Sequence, residues 1–295
     1  MPELPDVVVY LERLEALIYG KALQRIRVGS PWVLRTFDPG PEAFAGKRVT
    51  GLRRLGKRLV LECEDDLFVV IHLMVAGRLR RRDPGTAIPP KRGLAAFDFE
   101  EHTFLLTEEG TRKRASIHLL RGAAGLSDHD RGGVEPLQVD AAAFGAALTS
   151  ERHTLKRGLT DPRLISGVGG AYADEIMHRA QLGPLTRTDR LDAADLAALH
   201  EATVAVLTEW IDRLRAEVGD GFPEKVTAFH EDMAVHGRFG KPCPVCGAPI
   251  QRIRYASNET NYCPGCQTGG RILADRAMSR LLKEDWPSSL DDLDA

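Results

Sequence analysis

The sequence predicts a multidomain α+β protein: a β-sandwich or barrel behind a single capping helix, then an alanine-rich helical block, then a small metal-stapled module. Three observations carry this. Seven short β-rich runs lie between residues 49 and 120, the pattern turns helical from about Asp140, and two Cys-x-x-Cys pairs stand near the end. The 295 residues are 43% hydrophobic and 28% charged, an ordinary globular composition that excludes a disordered or collagenous chain. No apolar run approaches the ~20 residues of a membrane helix, and MPELPDVVVY lacks the basic start and long apolar core of a signal peptide. A cytoplasmic location is therefore expected.

Taken in order, Val7, Leu11, Leu14 and Ile18 have the spacing of one helical face over residues 6–19, and Gly20 stands where a C-cap belongs. VTGLRRL, RLVLEC, LFVVIHLM, GRLRR, LAAFDFE, TFLLTEE and ASIHLL then read as strands, separated by turn formers such as Asp83-Pro84-Gly85. A boundary falls between Arg121 and Val139, where Gly, Ser, Asp and Pro concentrate. Helices are expected through AAAFGAALTSERHTLKRGL, through AYADEIMHRAQL and near Leu191 to Arg215, with DPRLISGVGG as a tight loop between the first two. A second boundary lies near His236. After the last cysteine, Leu273, Ala277 and Leu281 have helical spacing, so a short helix and a frayed acidic end are expected.

The formal net charge of -2 argues against a polyanion partner until its distribution is considered. Glu284, Asp285, Asp291, Asp292 and Asp294 lie in the last twelve residues with no Lys or Arg, which leaves the preceding body net positive. Lys47, Arg48, Arg53, Arg54, Lys57 and Arg58 form a run without an acid. Arg78, Arg80, Arg81 and Arg82 follow, then Arg112, Lys113 and Arg114. One such run is most simply a solvated face; several in one chain point to a polyanion.

The most specific signal is Cys243-x-x-Cys246 followed after sixteen residues by Cys263-x-x-Cys266. Each turn points two thiolates at one ion, and two turns close a tetrahedron with no open position, so one structural Zn2+ is expected. Disulfides are the alternative, disfavoured in a reducing compartment. Gln251, Arg252, Arg254, Tyr255, Asn258 and Asn261 between the knuckles suit phosphate or groove contacts.

Gly167-Val168-Gly169 fails as a dinucleotide fingerprint, because Tyr172 occupies the third glycine position and no strand leads into it. What remains is a glycine loop opening a helix, either an anion site or a plain helix-to-helix turn. At the other end, loss of Met1 would expose Pro2 as a secondary amine, neutral in useful fraction near pH 7. Its attack on a sugar C1′ gives an iminium, an electron sink for elimination, and the adjacent Glu3 is placed to move protons. Pro then Glu is also a common way to start a helix.

Together, Pro2-Glu3-Leu4-Pro5-Asp6-Val7, the strand pair around Lys57 with His72-Leu73 and Gly77-Arg78-Leu79, the loop Gly167-Val168-Gly169 before Tyr172, and the four-cysteine module are similar in order and spacing to the formamidopyrimidine-DNA glycosylase and endonuclease VIII family. The resemblance runs to about Gln267. It implies an N-terminal β-sandwich catalytic domain with a capping helix (1–130), a helix-two-turn-helix DNA-binding domain (131–236) and a zinc finger (237–270), followed by a short helix and acidic tail (271–295). It further implies a bifunctional glycosylase and abasic-site lyase of base-excision repair, acting on a nucleotide flipped out of double-stranded DNA. Pro2 would be the Schiff-base nucleophile, Glu3 the general acid/base and Lys57 the cation that supports the chemistry. His72, Arg112, Lys113, Lys156, Gly169, Tyr172, Arg254 and Asn258 would contact DNA. A monomer in the bacterial cytoplasm, on the nucleoid when bound to DNA, is expected.

Four positions depart from the family pattern. Alignment on His72 and Gly77 puts Val75 where a methionine wedge is usual, with Met74 one residue early and, if on a strand, facing the other way. The Arg-Phe wedge corresponds to Thr111-Arg112-Lys113-Arg114-Ala115, without an aromatic; the loop asparagine is Gly170; the hairpin arginine is Asn258. A divergent branch is expected, with a lesion other than oxidised guanine open to it. The second functional class is a damaged-DNA or abasic-site binding protein with little turnover. A zinc-ribbon transcription or translation factor would leave the PELPDV start unexplained.

Overall fold

The computed structural model describes all residues except 228, 256–257, 276–278, 280, 282–286 and 294–295. Two compact units emerge, Met1–Arg131 with Trp210–Ala228, and Gly132–Glu209 with Phe229–Ala295. Residues 210–228, which the helical pattern places with the second block, thus group with the first.

The first unit begins with helix α1 (Leu4–Ile18). Pro5 lies in its first turn, where no backbone N–H is needed, and Glu3 and Asp6 form a reciprocal capping box in which Glu3 N donates to Asp6 Oδ2 at 2.8 Å. Gly20, at φ 73°, ends the helix in the left-handed region. Nine strands follow: β1 (Ala22–Leu23), β2 (Arg25–Val28), β3 (Lys47–Leu55), β4 (Arg58–Cys63), β5 (Leu67–His72), β6 (Gly77–Arg82), β7 (Gly93–Asp98), β8 (Thr103–Glu108) and β9 (Ser116–Arg121). They form a five-stranded sheet, β1-β3-β4-β5-β9, and a four-stranded sheet, β2-β7-β8-β6, all pairs antiparallel. Alternation decides what faces inward. Leu59, Leu61, Val69, Ile71, Ile117 and Leu119 of one sheet meet Leu79, Phe97, Phe104 and Leu106 of the other, with Val7, Tyr10, Leu14 and Ile18 of α1 in the same core. A short helix, α2 (Gly122–Ser127), places Leu126 against Val60, Phe68, Val70 and Leu120 on the opposite face of the five-stranded sheet.

All seven expected strands form. β5 stops at His72, because Met74 to Ala76 make a turn in which Met74 has φ 53° and Gly77 N donates to Leu73 O at 2.9 Å. Strand parity therefore does not set the direction of Met74, and the expectation drawn from it is corrected.

The second unit holds α3 (Ala141–Thr149), α4 (Leu155–Thr160), α5 (Gly170–Arg179) and part of α6 (Ala193–Val218). The single helix expected across residues 141–159 is two, since Thr188 pins the chain between them: His153 N donates to Thr188 Oγ1 and Thr188 Oγ1 to Glu151 O. Hairpin β10 (Gln251–Tyr255) and β11 (Asn258–Tyr262), then α7 (Pro264–Thr268), complete the zinc module. The helix expected over 273–281 falls largely outside the described residues. The acidic end is not simply frayed, as expected, because Ile272 N donates to Ser288 O and Leu290 N to Gly270 O, folding Ser288–Leu290 back along the chain.

Candidate functional site

In the first unit the residues expected to carry the chemistry lie around the amino terminus. Pro2, Glu3 and Asp6 are buried at the start of α1. Burial lowers the pKa of the Met1 amine; Glu3 opposes this, Arg78 reinforces it, Asp6 opposes and Lys57 reinforces. The charges of Glu3, Arg78, Asp6 and Lys57 therefore act on one amine, and burial raises the Asp6 carboxyl to about 7. Lys57 lies in the turn between β3 and β4, and His72 sits across from Arg58 at the end of β5. Burial, with Arg58 and Lys57 nearby, lowers His72 to about 4, so it is neutral at physiological pH.

Arg78 is the residue sequence reasoning passed over, having been counted within a cationic run. Its guanidinium donates to Val226 O, Val75 O and Gly77 O. The signal available was its place in Gly77-Arg78-Leu79, quoted for the resemblance without a role for Arg78; in the structure an added Cβ at Gly77 would come within 2.2 Å of Leu73 O, so that the turn admits only glycine. Other members of the basic runs are held within the chain. Arg80 and Arg82 pair with Glu224, Arg53 with Glu62, and Lys47 with Asp65.

At the wedge position Val75 is 58% exposed on the tip of the turn. The loop with Arg112 and Lys113 is anchored by the buried Glu108, which accepts from Arg114 N and Ala115 N, while Lys113 Nζ donates to Glu108 O. Arg112 is exposed, and Lys113 lines a cavity of about 620 Å³ with Pro89, Pro90, Lys91 and Arg92.

In the second unit Gly169 caps α5. Two expectations need correction there. Tyr172 is 2% exposed and offers DNA no surface. Lys156 is no free surface cation, because Nζ donates to Gly170 O and lies 2.6 Å from Oδ1 of the fully buried Asp174. Asp174 also accepts from Asn261 N and pairs with His236 Nδ1, and its neighbour Glu175 accepts from the backbone N–H of Ala234, Val235 and His236. These two carboxylates tie α5 to the module. Arg254 is exposed and pairs with Glu259 at 3.2 Å; Asn258 is exposed at the start of β11.

The thiols of Cys243 and Cys266 are 3.9 Å apart, and those of Cys246 and Cys263 are 3.3 Å apart. A tetrahedral Zn2+ with ~2.3 Å bonds has sulfur edges of ~3.8 Å; ligand atoms of Cys243, Cys263, Cys266 and His178 lie within 4.8 Å of one another, and Cys246 adjoins Cys263, a cluster that suits one structural ion. His178 Nε2, which sequence reasoning missed, stands 3.3 Å from Cys243 Sγ.

The comparisons agree with this arrangement. The family models for the formamidopyrimidine-DNA glycosylase N-terminal domain, its H2TH domain and the zinc finger found in FPG and IleRS match residues 1–117, 133–219 and 240–269. A formamidopyrimidine-DNA glycosylase of Acidovorax sp. is 33% identical over 90% of this chain and 99% of that protein. An uncharacterized formamidopyrimidine-DNA glycosylase-like protein of Mycobacterium tuberculosis is 40% identical over 51% of this chain and 94% of its own. Among solved structures, MutM in complex with DNA containing carbocyclic 8-oxo-G has a TM-score of 0.80 at 27% identity, covering 90% of this chain and 100% of that one. The Lactococcus lactis enzyme bound non-covalently to DNA containing an AP site has a TM-score of 0.77 at 26% identity, covering 90% and 99%.

Proposed function

The chain belongs to the formamidopyrimidine-DNA glycosylase family, and from that premise we propose that it excises a damaged base from double-stranded DNA and opens the resulting abasic site through Pro2. Glycosylase and abasic-site lyase activity in base-excision repair is the family's chemistry. The observation that supports the assignment to Pro2 is that Glu3, Arg78, Asp6 and Lys57 all act on the Met1 amine, one residue from the nitrogen that loss of Met1 would free, and that Pro2 itself is buried.

Removal of Met1 makes the Pro2 nitrogen a secondary amine. That nitrogen attacks C1′ of the flipped nucleotide; the C1′–N bond to the base breaks, and the base leaves with a proton supplied by Glu3. The C1′–O4′ bond then breaks, the proton lost from the Pro2 nitrogen passes to O4′ to leave a hydroxyl, and an iminium remains at C1′. The iminium takes up the electron pair released when a proton is lost from C2′, and the C3′–O bond breaks with departure of phosphate. Lys57 and Arg78 balance negative charge that develops beside the amine. Cys243, Cys246, Cys263 and Cys266 would hold a structural zinc, which would fix the hairpin that carries Arg254 and Asn258. A bacterial cytoplasmic location, at the nucleoid when bound to DNA, accords with the bacterial relatives.

Borohydride trapping on an abasic duplex, with intact mass to report the N-terminus, tests this. Wild type lacking Met1 should form a covalent adduct and Pro2→Gly should lose most of it. Equal trapping by Pro2→Gly removes Pro2 from the mechanism. Tight binding with no trapping by the processed wild type would favour the binding-protein reading, which the exposed Val75 and the wedge loop without an aromatic also fit.

A further inference from the structure

The stretch from Gly29 to Gly40 is not a regular strand, yet it is fixed along the free edge of β9. Leu34 forms a parallel bridge with Ile117, Arg35 N donates to Ile117 O at 2.9 Å, and Leu119 N donates to Thr36 Oγ1 at 2.8 Å. Leu34 packs against the sandwich core, whereas Arg35 and Phe37 are exposed. Phe37 is 96% exposed, and Trp32, in the single turn just before, is 79% exposed. Single exposed aromatics are common, but two on one tethered edge beside cations are not easily left to chance.

The neighbouring outer face supplies the cations. Arg58, His72 and Ser116 are successive cross-strand partners in β4, β5 and β9, so the Lys57 turn and the Trp32 segment lie at the same end of the sheet. Three strand spacings of ~4.8 Å put them roughly 14 Å apart, a few nucleotides of strand. Between them His118 stacks edge-on against His129, with ring centroids 4.3 Å apart; Arg35 acts on His118, and Arg58 Nη1 donates to His129 O. Asp128 and Asp130 are the acids facing this group, and Asp38 follows Phe37.

We propose that this edge is a stacking site for unpaired nucleotides, in which Trp32 and Phe37 take bases of a single-stranded segment while Arg35 and Arg58 take its phosphates. Paired bases are covered on both faces within a duplex, so an exposed aromatic beside a cationic track selects bases that are not stacked in one. The site would hold a strand left unpaired near the lesion and return to the chain the aromatic contact that its wedge loop lacks. The inference rests on the repair reading only in that this reading brings DNA to the face.

The test uses the full chain and undamaged oligo(dT), titrated by anisotropy and by tryptophan fluorescence, against a duplex of matched length. Wild type should bind the single strand with quenching of an exposed tryptophan, and Trp32→Ala/Phe37→Ala should weaken that binding by about tenfold or more, given the usual worth of base stacking. Both side chains are exposed, so the variant should melt as wild type does. Arg35→Ala should weaken binding and flatten its salt dependence. Oligo(dT) affinity equal in wild type and the double variant overturns the proposal, as does a double variant that changes only the sedimentation of the protein, which would mark a contact between copies. Trapping by Pro2 is read separately: its failure with oligo(dT) binding intact removes the lyase reading alone.

Discussion

Replacing Glu259 by glutamine should tighten DNA binding and steepen its salt dependence. Arg254 lies directly across the hairpin from Glu259, whose Oε2 is 3.2 Å from Arg254 Nε and 3.6 Å from Arg252 Nη1, while Oε1 accepts from Asn261 Nδ2 at 3.0 Å. Although burial raises it, hydrogen bonds from Asn261 and Arg254 and the charge of Arg252 bring the Glu259 carboxyl below its ordinary value, so it is ionised at neutral pH. Two cations thus share one anion. Glu259→Gln keeps an acceptor for Asn261 and frees one positive charge for phosphate, which should steepen log K against log salt by about 0.9. Between 200 and 50 mM salt that adds a factor of roughly 3.5 to the affinity gain. If Lys57, Arg112, Lys113 and Arg254 each neutralise one phosphate, with Lys156 held by Asp174, the wild-type slope should be about -3 to -4. Arg254→Ala should flatten it by about one, alike for all sequences. Anisotropy on a duplex carrying an abasic analogue, over a salt series, reads these slopes. A Glu259→Gln slope equal to or shallower than wild type would refute a hairpin seated on phosphate.

Asp6 binds its proton more tightly folded than unfolded, with a pKa of about 7 against 3.8, so stability should be unaffected below pH 4, fall as pH rises to 7 and level off above it. The slope is about 1.4 kcal/mol per pH unit at most, and Asp6→Asn should remove it in urea melts at pH 5 and 8; an unchanged slope would reject the assignment. Gly77→Ala should cost roughly 1–3 kcal/mol or more, since its Cβ would meet the Leu73 carbonyl at 2.2 Å; unchanged denaturant stability would contradict this. Wild type should carry about one zinc per chain. Cys243→Ala, or chelation, should lower metal content and DNA affinity together, whereas metal loss with full affinity would separate the module from DNA binding.

Seven strands were legible because each alternates, or runs apolar, between turn formers. β1 and β2 were not, being two and four residues long in an arginine-rich stretch. Arg25 and Arg27 look like surface residues in sequence, yet both pair with Asp98, which is 3% exposed and 73 and 71 positions away. The break between α3 and α4 is held likewise by Thr188, more than thirty positions on, although Ser150 and the N-cap residue Thr154 mark it locally.

The site was legible as residue types and illegible as availability. A run of arginines shows how many cations a segment has, but whether they can meet phosphate depends on partners distant in sequence: Glu224, 142 positions from Arg82, or Asp174, 18 from Lys156. Of the charges the runs displayed, Arg78 became part of the amino-terminal site while its neighbours Arg80 and Arg82 did not, a division set by where residues 224–226 fold. Glu3 carries the same ambiguity within one side chain. As the residue beside Pro2 it is the proposed acid, and as the N-cap of α1 it shares a capping box with Asp6. The two roles are compatible, because the box orders the turn that begins directly after Pro2. A helix start and the proposed nucleophilic proline are therefore not alternatives: the same capped turn would serve both.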